Sequence, residues 1–167
     1  RWIVINKRNE VIVDEGWEWC AIANADLINF SVRDREGLYD WRNQRVVMEP
    51  RFKTLRAVAD TVFEATVDGR VHLVDMSGRK VGKSTFVTVN PFVDGIAAAK
   101  DAESDLYGFI NLAGEWVIRP SFWHAEQFAE GLSAVCRDFG EYFYIDRHGD
   151  VVIPGPFIDA NRFSEGL

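Results

Sequence analysis

The stretch Tyr107-Gly108-Phe109-Ile110-Asn111-Leu112-Ala113-Gly114-Glu115-Trp116-Val117-Ile118 returns, in altered form, as Tyr142-Phe143-Tyr144-Ile145-Asp146-Arg147-His148-Gly149-Asp150-Val151-Val152-Ile153. Each copy leads into an aromatic block. The first is Phe122-Trp123-His124-Ala125-Glu126-Gln127-Phe128-Ala129-Glu130-Gly131-Leu132, and the second is Phe157-Ile158-Asp159-Ala160-Asn161-Arg162-Phe163-Ser164-Glu165-Gly166-Leu167. Three diverged copies precede them. The Asn or Asp recurs as Asn6, Asp40, Asp75, Asn111 and Asp146, at spacings of 34, 35, 36 and 35. Three residues later stands Asn9, Asn43, Gly78, Gly114 or Gly149, and the next aromatic is Trp17, Phe52, Phe86, Phe122 or Phe157. Three landmarks keeping one period identify a tandem repeat, whose short units bury their apolar faces only by sharing a core with neighbours.

Each landmark has a physical reason. An Asx side chain bonds the backbone of a tight turn, and Gly or Asn accepts the positive φ such a turn needs. Flanking runs such as Phe143-Tyr144-Ile145 and Val151-Val152-Ile153 are aromatic or β-branched, which suits paired strands. Pro120 and Pro154 are expected to stop the second strand, since proline lacks a ladder donor. The Phe-x-x-Ala-x-x-Phe spacing predicts a short helical turn or compact loop. Asp94-Gly95, Glu130-Gly131 and Glu165-Gly166 then reverse the chain into a third strand, Leu132–Cys136 in the best copy, which leaves through the polar turn Arg137-Asp138-Phe139-Gly140-Glu141. Helical-pair repeats of similar period need two amphipathic helices per unit, and turn residues and prolines interrupt these copies.

These residues resemble the WG-repeat family, whose units read like W-G-x-I-D-x-x-G-x-x-V-I-P, then F-x-x-A-x-x-F-x-E-G-L-A. The likeness divides the chain into units of approximately 1–36, 37–70, 71–106, 107–141 and 142–167, the last incomplete. Residues 107–167 carry it most fully. Elsewhere Trp2 keeps the Trp and Gly37 the Gly, while Ala25-Asp26 and Asp60-Thr61 stand at the Glu-Gly position. The resemblance implies a scaffold and transfers no catalytic residue. The expected fold is all-β: a tandem array of about five three-stranded antiparallel units, open and solenoid-like, with a closed propeller-like ring as the alternative.

Composition narrows the partners. The chain has 167 residues, 47% hydrophobic and 27% charged, a globular balance. Its formal charge is −7, and residues 106–167 hold 9 acidic against 4 basic side chains, whereas residues 1–70 hold 12 against 11. Such an acidic segment repels phosphate backbones and anionic lipid; it is compatible with a basic protein partner and equally serves solubility. No apolar run reaches the ~18 residues of a membrane span. The first residue is Arg1 rather than Met, so the sequence is read as part of a longer product, with its compartment undetermined. Cys20 and Cys136 lack metal or redox spacing and are expected as buried thiols, a disulfide between them staying open.

The candidate chemistries are weak. Gly78-Arg79-Lys80-Val81-Gly82-Lys83-Ser84 has three residues between its glycines where a phosphate loop needs four. His72, His124 and His148 occupy different repeat positions, and Asp146, His148 and Asp150 suit a turn as well as a metal. Asp94, Glu130 and Glu165 recur once per unit before glycine, whereas a catalytic pair breaks symmetry. Phe86, Phe122, Phe128, Phe157 and Phe163 repeat in phase and are predicted core. Trp19, Trp41 and Trp123 are out of phase and are the candidate contact residues, with His124, Glu126 and Glu130 beside the last. No catalytic, cofactor or metal residue is expected. The expected function is protein–protein interaction, in specific form the neutralisation of a bacterial toxin, with glycan or cell-wall binding as the alternative.

Overall fold

The computed structural model describes residues 2–5, 8, 11–138 and 140–160; the landmarks Asn6, Asn9, Phe139, Phe163, Glu165 and Gly166 lie outside them. The described residues are all-β, with antiparallel strands and no helix. The chain forms two compact parts, residues 1–80 and 81–167.

In the first part β1 (Trp2–Ile5) pairs with β2 (Val11–Trp17). A four-stranded meander follows: β3 (Trp19–Ile22), β4 (Leu27–Val32), β5 (Arg35–Asp40) and β6 (Arg45–Phe52). Then β7 (Leu55–Ala57), β8 (Val62–Val67) and β9 (Arg70–Asp75) repeat its first three strands. In the second part β10 (Lys80–Val89) pairs through Phe86–Val89 with β11 (Ile96–Asp101), followed by β12 (Tyr107–Asn111) and β13 (Trp116–Phe122). The last meander is β14 (His124–Ala125), β15 (Ser133–Cys136), β16 (Tyr142–Ile145) and β17 (Val151–Phe157).

The meanders β3–β6 and β14–β17 therefore have four strands each, one more than expected of a unit. The extra strand comes from the aromatic block, which is not helical. Trp123 N–H donates to Cys136 O at 2.8 Å and Glu126 N–H to Ala134 O at 2.9 Å, so the block runs as a short strand beside β15. The three-residue spacing has another cause. Phe122 closes one sheet and Ala125 opens the next, and both enter the same core. The sheet frame is thus offset from the sequence unit: it starts just after one in-phase aromatic and ends on the next.

The hairpin turns follow the Asx prediction. Asp75 Oδ1 accepts from the N–H of Ser77 and Arg79, Asn111 Oδ1 from Ala113 and Glu115, and Asp146 Oδ1 from His148 and Asp150. Gly78, Gly114 and Gly149 supply the positive φ. Asn43 does not, because the segment from Asp40 to Phe52 is one residue longer than its counterparts. Gln44 takes φ 50°, and Asn43 instead donates Nδ2 to Asp40 Oδ2 at 2.7 Å. Asp94-Gly95 and Glu130-Gly131 have positive φ at both residues, as a two-residue hairpin turn requires.

Pro120 and Pro154 do not end their strands. From Tyr107↔Phe122 to Phe109↔Ile118, two residues of β12 face four of β13, and the same shift recurs in β1–β2, β5–β6 and β16–β17. Proline sits inside this bulge, where the ladder is already interrupted, so its missing donor costs nothing. The bulge also explains one glycine. A Cβ on Gly108 would lie 2.5 Å from Ile118 O and 2.8 Å from Pro120 N, and one on Gly37 2.4 Å from Met48 O. In the last hairpin Phe143 stands at that position and the facing strand carries Gly155 instead.

Adjacent sheets share cores. Leu27, Leu38, Met48 and Phe52 of one sheet meet Leu55, Phe63, Ala65 and Val74 of the next. Ile96, Ala98, Phe109 and Phe122 likewise meet Ala125, Phe128, Val135 and Ile145. The second strands, such as Leu27–Phe30 and Ile96–Ala99, are buried at every residue because both their faces are covered. Of the predicted core aromatics, Phe86, Phe122 and Phe128 are buried. Phe157 is 38% exposed.

Candidate functional site

The step from β13 to β14 turns one aromatic outward. Phe122 and Ala125 are fixed in the shared core, and the backbone between them is held by the bonds to Cys136 and Ala134. Trp123 is left 64% exposed on a hydrogen-bonded backbone. His124 Nε2 lies 2.9 Å from Glu126 Oε1, and its ring stands 6.0 Å from both Tyr107 and Tyr142. Desolvation, with the negative charge of neighbours including Asp159 and Glu126, pushes the Tyr142 phenol above its usual range. Lys100 approaches the Tyr107 ring from beyond, at 5.8 Å. The arrangement is an aromatic-lined histidine–carboxylate pair that follows an exposed indole in sequence.

His124 and Glu126 are brought together, and Trp123 precedes them in sequence with its ring exposed. Glu130 is not: it occupies the turn between Ala129 and Leu132, about 14 Å along β15 from the Cys136 end. Trp19, 38% exposed, pairs with Ser31, while Trp41 follows Asp40 opposite Leu27, so the two lie at opposite ends of one sheet. Trp41 is half-buried against the Trp17, Ile28, Phe30 and Tyr39 cluster, and its Nε1–H donates to Ala25 O at 3.1 Å. Packing therefore holds Trp41 where sequence phase suggested exposure. Tyr107 and Tyr142 are additions to the site. Their signal was present, since both occupy the repeat's opening aromatic position.

Several other candidates resolve into structure. Gly78 is a hairpin residue and Lys80–Ser84 are strand. Asp146 accepts from the His148 and Asp150 amides as a turn former. Cys20 and Cys136 are free thiols, the second donating to Asp138 O. Among the described residues no group of three or more His, Cys, Asp and Glu is gathered as a metal would require.

The model of the WG containing repeat matches residues 107–138 and 142–167. Both segments are similar to that repeat. In the first of them Gly108 is the bulge glycine, and Asn111 and Asp146 form the hairpin turns of the two. Trp123 lies inside the first matched segment. No curated protein matches the chain. Among solved structures it is similar to the computationally designed Ika8 protein, at 13% identity and a TM-score of 0.54 over 95% of this chain. It spans 57% of that protein's length, and at this identity the likeness is one of fold.

Proposed function

We propose that the chain is a non-catalytic repeat module that binds another protein, with the Trp123 surface as a contact site. The carrying observation is the exposed indole on a backbone hydrogen-bonded to the neighbouring strand. An aromatic already ordered in this way gains contact area at little further entropic cost. The acidic surplus of residues 106–167 selects a basic partner, since complementary charge speeds encounter more than it deepens affinity. In specific form the partner is a basic bacterial toxin that this chain neutralises.

The test is capture from lysate, identification of the bound protein, and measurement of its affinity for wild type and variants. Trp123→Ala should weaken binding about tenfold or more, as for an interface anchor, with the thermal transition unchanged. Glu126→Gln should flatten the salt dependence of the association rate. A large loss of stability in Trp123→Ala would make the ring a packing residue. Retention of a polysaccharide rather than a protein would favour a glycan-binding module.

A further inference from the structure

Building on the reading that the partner is a basic protein, we propose that a cleft in the first part of the chain receives an arginine side chain of that partner. The second part contains the same cleft already filled. Arg147 follows the turn-forming Asp146 and reaches the turn of the preceding sheet. Its Nη2 lies 2.8 Å from the Asp94 carboxylate and Nη1 3.4 Å from the Asp94 carbonyl, with the guanidinium 6.0 Å from the Phe128 ring. In repeat register the residue after Asp75 is Met76, the counterpart of Asp94 is Ala25, and that of Phe128 is Val58. The built-in guanidinium and its carboxylate are thus both replaced by apolar residues.

What remains is a cleft of about 430 Å³ between the turns of two neighbouring sheets. That volume falls within the roughly 300–1,000 Å³ of small-ligand sites. Ala25, Leu27 and Met76 supply apolar wall, and Asp26, Asp40 and Asp60 supply carboxylates. The one cation in the lining, Arg42, is engaged with Asp26 and lies 4.7 Å over the Trp41 ring. The Asp60 turn is held in place by Asn24, whose Nδ2 donates to Asp60 O at 3.2 Å. A planar guanidinium is weakly hydrated, lies flat on apolar surface and reaches a carboxylate and a neighbouring carbonyl through separate N–H groups, as Arg147 does at Asp94, whereas an ammonium is a compact, strongly hydrated point charge.

The probe is acetyl-Gly-Arg-Gly-amide, with lysine and citrulline counterparts, titrated into the full chain and followed by backbone amide shifts. The arginine peptide should shift Asp26, Asp60 and Thr61, the lysine peptide should bind several-fold more weakly, and the neutral citrulline peptide should leave them unmoved. Asp60→Asn should weaken the arginine peptide roughly tenfold, the scale of one charge-assisted hydrogen bond. The double variant Ala25→Asp/Met76→Arg should fold and lose binding, because it installs the Arg147–Asp94 pair in the empty cleft. Equal shifts from arginine and citrulline, no shifts from any peptide, or undiminished binding by Asp60→Asn would overturn the proposal. Trp123→Ala should leave peptide binding intact while partner capture falls, so the two readings fail separately.

Discussion

Replacing Gly108 by alanine tests the bulge directly. The added Cβ would meet Ile118 O at 2.5 Å, Pro120 N at 2.8 Å and the Arg119 carbonyl carbon at 2.9 Å, all backbone atoms of the paired strand. No flexible side chain can swing away, so β12 and β13 must part. Overpacking of this kind costs about 1–3 kcal/mol. For a chain of this length that lowers Tm by about 2–12 °C, at roughly 2–4 °C per kcal/mol. The cost must be steric, because Gly108 is not at positive φ. Gly95 is the opposite case: its Cβ would have no neighbour within 4 Å, but its φ is 79°. Thermal melts of four variants separate the two causes. Gly95→Asn should be far milder than Gly95→Ala, since Asn tolerates left-handed backbone. Gly108→Asn should be at least as damaging as Gly108→Ala. A Gly108→Ala transition indistinguishable from wild type would refute the close-approach account, and with it the reading of Gly37.

Three further outcomes can be checked. Phe128→Ala removes a buried ring 4.7 Å from Phe109 and should cost about 3–5 kcal/mol in urea denaturation, whereas Trp123→Ala should cost well under 1 kcal/mol. His72 has its pKa lowered, chiefly by desolvation and then by Lys80 and Arg70. Its neutral form therefore favours folding above about pH 6.5, and that contribution should fade as pH falls below it, a phase absent from His72→Gln melts. Asp75 and Asp146 are held below the ordinary carboxylate range, Asp75 first by the Ser77 hydroxyl and Asp146 first by the Asp150 amide. Their contribution is present above about pH 4 and lost as pH falls through the lowered values; Asp146→Asn, which copies the natural Asn111, should keep the turn and reduce that acid sensitivity in pH-dependent melts.

What was legible in the sequence was local. The Asx turns at Asp75, Asn111 and Asp146 involve groups within four residues of one another, so spacing alone identified them. The strand character of Phe143–Ile145 and Val151–Ile153 followed from residue type. The frame of the sheets was not legible, because which strand pairs with Ser133–Cys136 is a question about residues on both sides of the repeat boundary. The Phe122, Ala125, Phe128 triad shows the difficulty: its period matches a helix, yet it comes from one strand closing and another opening onto a common core. The prolines misled for a related reason. Their meaning depends on a bulge that exists only once two strands are aligned. Trp123 and Trp41 both fall outside the phase of the core aromatics, and Trp123 is exposed, but Trp41 is packed, since its turn folds back toward the carbonyl of Ala25.

The offset between sheet and sequence unit has a consequence for how such a chain can be cut. Severing it at a sequence boundary, such as before Tyr107 or Tyr142, divides a sheet and leaves an incomplete set of strands on each fragment. The two sets are complementary, in the manner of sticky ends, so fragments made this way should pair with each other or with further copies of themselves. Cutting instead just after an in-phase aromatic, between Phe52 and Lys53 or between Phe122 and Trp123, separates whole sheets. Loss or gain of one full period at any point restores every sheet, which lets the number of repeats change without a change in how strands are joined.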